Sequence, residues 1–155
     1  MMTPDLLSFA VAFLGGLFAT LLMTATEIPS WKKWGLQGVL EWHENQVLCV
    51  KFFKLSKSNL HFKGIFLLHF VNGGLGSIGF LLALWIFPIA LGSLFFSGIL
   101  YGLFLWVVTL LPIHKPITGI SLRTHPDGIL PSVSSFIGHV VYGIAIGYFF
   151  LNLPV

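Results

Sequence analysis

Two histidines of this chain lie where an ionisable side chain is costly. His69 and His139 fall inside long apolar runs, in the matching segments His69-Phe70-Val71-Asn72-Gly73 and His139-Val140-Val141-Tyr142-Gly143. At 1.5 Å per helical residue, each sits roughly 8–12 Å past the start of its run. An imidazole at such a depth faces a bundle interior or a wet cavity. Each has a polar neighbour one turn on, Asn72 and Tyr142. Glu27 ends the first apolar run with Thr24 one turn before it, and His114 ends the third. One end of the molecule thus gathers imidazoles, a carboxylate, an amide and a phenol.

Three chemistries suit that inventory. An interhelical hydrogen-bond network of neutral imidazoles comes first, because buried polar groups need partners whatever else they do. A divalent-metal or proton site comes second, with His69, His139 and Glu27 as candidate ligands. Against the metal, no Glu-x-x-His or His-x-x-x-His pair places two ligands on one helix face. A small ligand or lipid headgroup is the third reading. Trp42-His43-Glu44-Asn45-Gln46 is the densest polar run. On a helix His43 and Glu44 point about 100° apart, and the run is expected on a solvated or headgroup-facing surface. His125-Pro126-Asp127-Gly128 reads as a turn. A metal role for His125 and Asp127 is nonspecific. No phosphate loop, serine elbow or zinc-type cysteine pair is present.

The elements that position these groups follow from composition. Of the 155 residues 56% are hydrophobic and 8% charged, against roughly 25% charged in a soluble domain. A bilayer helix needs about 20 apolar residues, so an all-α polytopic membrane protein of four spans and one sizeable loop is predicted. The spans are expected at about 6–28, 64–87, 89–111 and 131–153. Pro29 and Ser30 are expected to break the first helix, and Pro131 to sit in the first turn of the last. Residues 64–113 as one helix would reach about 75 Å, over twice the hydrocarbon thickness, so the chain must reverse near Pro88. That tight reversal implies adjacent, antiparallel second and third spans. The segment before the first run carries Asp5 and no Lys or Arg, so the run reads as a retained span rather than a signal peptide.

Segment 31–63 is predicted to form an amphipathic interfacial helix, with Trp31, Trp34 and Trp42 at the headgroups. Docking of a partner protein on that helix is the alternative. Gly16-Leu17-Phe18 recurs as Gly102-Leu103-Phe104, alternating in order with the two His-x-Val-x-Gly segments. The four spans are therefore read as two repeated hairpins about an axis along the membrane normal. Small residues at four-residue spacing in every span suit close helix packing: Gly15 with Ala19, Gly73 with Ser77, Gly98 with Gly102, Gly143 with Gly147. The same faces would suit a homodimer or a larger membrane complex. All eight Lys and Arg residues fall in segments 29–63 and 112–130. The positive-inside rule makes those loops cytoplasmic and both termini external in a cell membrane. The basic loops favour anionic inner-leaflet lipids and are too sparse for nucleic acid. Cys49 stands alone, so no internal disulfide can form.

The Gly-Leu-Phe-Ala-Thr-x-x-Met run at Gly16 to Met23 and the Gly-His-x-x-Tyr-Gly-x-x-x-Gly run at Gly138 to Gly147 resemble the first and last spans of YagU-like small inner-membrane proteins. That resemblance implies a four-helix membrane fold and no activity. A structural or accessory membrane protein is the first functional expectation, since no catalytic constellation is complete. An oligomeric small transporter, or an ion-binding protein using the His/Glu cluster, is second. A small multidrug transporter would be expected to carry a carboxylate in mid-span; here the first span has only Glu27, at its end. A membrane-embedded enzyme acting on a lipid headgroup is third.

Overall fold

A computed structural model describes residues 4–54, 63–87 and 90–152. Lys57 and Pro88, the latter expected to turn the chain, lie outside them. Every regular element among the described residues is helical: α1 (Leu6–Trp34), α2 (Leu40–Phe53), α3 (Lys63–Ile86), α4 (Leu94–Leu110), α5 (His114–Thr118) and α6 (Leu130–Leu151). Short 3-10 turns at Leu36–Gly38, Leu91–Ser93 and Leu122–Thr124 join them. Four helices are long and apolar enough to cross a membrane: α1, α3, α4 with α5, and α6. Their outward faces carry Leu14, Phe18, Phe96, Leu100, Phe104 and Ile137, all exposed. That much exposed apolar surface suits lipid rather than water.

Each boundary has a local cause. The Asp5 carboxylate caps α1 by accepting from the Ser8 N–H at 2.8 Å. Pro29 does not end that helix, contrary to expectation: α1 runs on to Trp34. Its last turns are held from outside, by Ser30 Oγ bonded to Ser134 Oγ at 2.5 Å and Trp31 packed on Trp42. Membrane helices tolerate an internal proline where neighbours supply such support. The stop is Gly35, at φ 69, whose N–H donates to the Trp31 carbonyl, as a glycine cap does. Pro131 does open α6. The third span begins at Leu94, a turn later than expected.

Small residues decide which helices meet. A Cβ on Gly16 would strike the Gly73 carbonyl and Ser77 of α3, while one on Gly15 would strike the Phe149 ring of α6. A Cβ on Gly98 would meet the Gly143 carbonyl and Gly147 backbone; one on Gly102 would meet the His139 carbonyl. α1 thus lies against both α3 and α6, and α4 against α6. The expected pairing of α3 with α4 fails, because their backbones hardly approach each other. No small-residue stripe joins them; they are linked by Tyr101, whose hydroxyl donates to the Gly76 carbonyl at 2.8 Å. Met23, Phe80, Leu84, Ile146 and Phe150 fill the apolar core.

The amphipathic segment is the largest correction. Trp31 and Trp34 belong to α1, and α2 starts only at Leu40. Leu40, Glu41, Trp42, His43, Glu44 and Asn45 are buried consecutively, so α2 does not lie along the bundle's surface. Trp42, expected at the headgroups, is 1% exposed and packs on Trp31, Phe66 and His69. Its polar neighbours turn inward because the bundle offers them partners.

The α4/α6 contact leaves no room for a methyl group. Gly143→Ala is expected to lower thermal stability in detergent by about 1–3 kcal/mol, the usual effect of overpacking. Gly92, with open space around it, should accept Ala without change. Equal stability of the two variants would refute this account of the packing.

Candidate functional site: a buried histidine–glutamate centre

Where α2 meets the basic end of the bundle, every carboxylate faces an imidazole. Glu27 of α1 has its Oε2 3.7 Å from His69 Nε2 of α3. Glu44 of α2 has its Oε1 2.8 Å from His114 Nδ1 of α5. Glu41 of α2 has its Oε1 3.4 Å from His139 Nδ1 of α6, and accepts a short hydrogen bond from Ser135. Each pair joins two segments distant in sequence. The side chains are deeply buried, with Glu27 and His114 at 0% exposure. The same region holds Trp42, whose indole sits beside Glu27.

No lysine or arginine whose side chain is described enters the cluster. Lys32, Lys33, Lys51, Lys54, Lys115 and Arg123 are all exposed, and every ion pair found is between a histidine and a carboxylate. A buried carboxylate left without a counter-charge is strongly unfavourable. Among the described side chains, histidines are the groups that stand opposite these carboxylates.

The hydrogen bonds separate two kinds of histidine. His125 accepts from the Asp127 N–H at Nδ1 and donates from Nε2 to the Gln37 carbonyl, both at 3.1 Å. It ties the 126–129 turn to the segment before α2. His139 donates from Nδ1 to the Ser135 carbonyl at 3.0 Å. His69 Nε2, His114 Nε2, His43 Nδ1 and Glu41 Oε2 have no hydrogen-bond partner although buried, and Glu27 has the Glu41 carboxyl and the Trp42 indole beside it without a well-formed hydrogen bond to either. Such a concentration of unsatisfied atoms in one place calls for water or a ligand.

A cavity of about 140 Å³ opens beside these atoms. Glu41, Glu44, Asn45, His69, Asn72 and His139 are among the polar residues that line it, together with Met23 of α1, Gly76 of α3, Leu105 of α4 and Tyr142 of α6. Asn72 Nδ2 donates to Asn45 Oδ1 at 3.3 Å, tying α3 to α2. Tyr142 Oη donates to the Gly73 carbonyl at 2.6 Å, bracing α6 on α3 rather than assisting His139. Thr24 is buried near the site without a hydrogen-bond partner for its hydroxyl.

Of the polar groups singled out in the sequence, His69, Asn72, His139 and Tyr142 line the cavity, Glu27 faces His69, His114 faces Glu44, and Thr24 is buried. Sequence reasoning missed His43, Glu44 and Asn45, assigned to a solvated or headgroup-facing surface, and Glu41, which it did not single out. One signal was available: neither Glu41 nor Glu44 has a Lys or Arg three or four residues away, although solvated helical acids often have one. Among the described residues no group of three ligating side chains is spaced to hold a metal ion.

Burial of the α2 groups carries a pH signature. Burial pushes His43 down from 6.5 to about 4, with His114 and His125 adding to the effect. Between those values the unfolded chain binds a proton that the folded chain refuses, so stability falls as pH drops from 6.5 towards 4. Burial raises Glu44, opposed by its bond to His114. Above 4.5 the folded chain holds the extra proton, so this group removes stability as pH rises. Thermal unfolding of detergent-purified His43→Gln should show a shallower acid loss than the parent. Parallel acid limbs would contradict the assignment.

No family model, curated protein or solved structure matches the chain.

Proposed function

We propose that this is a multi-pass membrane protein that binds and exchanges protons or another cation at a His/Glu centre in the cytoplasmic half of its helix bundle. The carrying observation is that Glu41 and Glu44, each facing a histidine, line one cavity with His69 and His139, that buried Glu27 faces the same His69, and that no lysine or arginine with a described side chain lies among them. Neutrality there depends on mobile charge, and proton occupancy of imidazole and carboxylate is the cheapest form of it. The accessory reading, in which the pairs only fix helix register, draws on the same hydrogen bonds but leaves the cavity and its unsatisfied atoms without a role.

Difference infrared spectroscopy decides between the two. As pH is lowered, the carbonyl stretch of a protonated carboxyl should appear at a pH above the usual carboxylate range, because burial raises Glu44, and should weaken in Glu44→Gln. A pH-independent carboxyl region, with the glutamine variants as stable as the parent, would leave the accessory reading standing.

The cytoplasmic placement belongs to the same proposal. It rests on the exposed Lys32, Lys33, Lys51, Lys54, Lys115 and Arg123 at the end that holds the centre, a distribution that also suits anionic inner-leaflet lipids. In a Cys49→Ala background, Thr3→Cys should react with an impermeant thiol reagent added outside intact cells, and Lys57→Cys should not. Labelling confined to position 57 would reverse the orientation.

The two-hairpin repeat is supported by equivalent contacts, Gly16 against Gly73 and Gly102 against Gly143, and by His69 and His139 each facing a glutamate. Kinship with YagU-like proteins rests on the two glycine-rich runs alone. Gly16, Gly98, Gly102 and Gly143 are occupied by contacts within the chain, so a homodimer or larger complex would use other faces.

A further inference from the structure

The cavity lining is of two kinds. Glu41, Glu44 and Asn45 bring carboxylate and amide groups to it, and Met23, Leu105 and Gly76 bring apolar ones, with Thr20, Thr109 and Tyr142 among them. An occupant with a positive, multiply donating head and a short carbon body would match both. The unsatisfied Glu41 Oε2 and His69 Nε2 belong to residues that line this space and are more than nine-tenths buried. The carboxylates have no described lysine or arginine side chain beside them, since the basic residues with described side chains are exposed.

Asn72 and His69 of α3 and Leu105 and Thr109 of α4 all line the cavity, yet the α3 and α4 backbones hardly approach one another and meet through side chains. Asn72 is exposed while it donates to Asn45. The cavity thus has walls on two membrane helices that are not packed backbone to backbone, with its α3 residues His69 and Asn72 within about 13 Å of Lys63 along the helix at 1.5 Å per residue. Its size favours a small occupant, for a protein cavity of about 150 Å³ holds benzene.

We propose that the cavity binds a small organic ammonium group, either a free alkylamine or the amine of a lipid headgroup. The carboxylates of Glu41 and Glu44 and the amide oxygens take its N–H hydrogens, and Met23 and Leu105 cover its first carbons. This rests on the cation-binding reading and names its ligand. A metal ion fits the site less well, because no three ligands converge at coordination distance among the described residues. An ammonium ion needs only dispersed hydrogen-bond acceptors, which this lining provides.

Titration calorimetry on the full chain in detergent tests it, with n-butylammonium chloride as probe and n-butanol as its uncharged counterpart. Saturable binding of the ammonium and none of the alcohol is expected. Glu41→Gln, which can still accept from Ser135, should weaken binding about tenfold or more, as loss of a charge-assisted contact does. Leu105→Trp should block it by filling the cavity while leaving the carboxylates in place. In nanodiscs, phosphatidylethanolamine that competes with the probe, where phosphatidylglycerol does not, identifies the headgroup as the source. Competition by neither lipid identifies a soluble amine. Failure of both butylammonium and phosphatidylethanolamine to bind overturns the proposal. If the carboxyl infrared band still titrates in that case, the proton reading survives; if it does not, both fall. Equal binding of butanol and butylammonium also overturns it, since an apolar hole would then suffice.

Discussion

Three carboxylates held away from water, with histidines as their partners, are the constraint on which this structure turns. A glutamate in a low-dielectric interior is tolerable only with a partner or a proton. Glu27 finds His69, Glu41 finds His139 and Ser135, and Glu44 finds His114. Because each pair joins segments far apart in sequence, satisfying the charges also fixes where α2 and α5 must sit on the bundle. An imidazole partner differs from a lysine in one consequence: its charge is conditional. The same contacts that assemble this end of the molecule leave its proton count open to change.

The rest of the bundle supports that end by a different interaction. Apolar helices gain little from meeting each other in lipid, so contact depends on how closely backbones can come. Gly98, Gly102, Gly143 and Gly147 bring α4 and α6 to backbone contact, and Gly16 and Gly73 do the same for α1 and α3. Between α3 and α4 no such residues face each other, and large side chains hold the helices apart through Tyr101, Phe80 and Tyr142. Close packing of α1 on α3, α1 on α6 and α4 on α6 leaves α3 and α4 as the loosely packed neighbours, and residues of both line the cavity. Dense and open regions are consequences of one pattern of glycine placement.

α2 closes this arrangement. Its first six residues are buried on all sides, with apolar Leu40 and Trp42 alternating with polar Glu41, His43, Glu44 and Asn45. Trp42 fills the space between Trp31, Phe66 and His69 while its neighbours reach the imidazoles. Such a helix is stable only in place, since removed from the bundle it would expose both an apolar face and carboxylates whose partners lie on α5 and α6. Its charged lysines, Lys51 and Lys54, come at the far end and stay exposed.

By itself the sequence determined what depends on local composition. Long uncharged runs can satisfy their backbone only as helices in lipid, so the four apolar helices, the Pro131 start of α6, the packing role of the small residues and the polar character of one end were all legible. His69 and His139 stood out because an ionisable residue inside an apolar run is conspicuous. What only the tertiary structure decided is the set of partners. Pro29 reads locally as a stop, and it is the support of Ser134 and Trp42 that carries α1 on to Gly35. Trp42-His43-Glu44-Asn45 reads locally as a wet surface, because polarity along a chain cannot tell water from a buried imidazole as the partner. Glu41 and Glu44 therefore became legible as site residues only once folding brought α5 and α6 against them. The physical reason is one of range: secondary structure in lipid is set by backbone hydrogen bonds within a run, whereas the placement of a buried charge is set by a partner up to ~100 residues away, which no local pattern encodes.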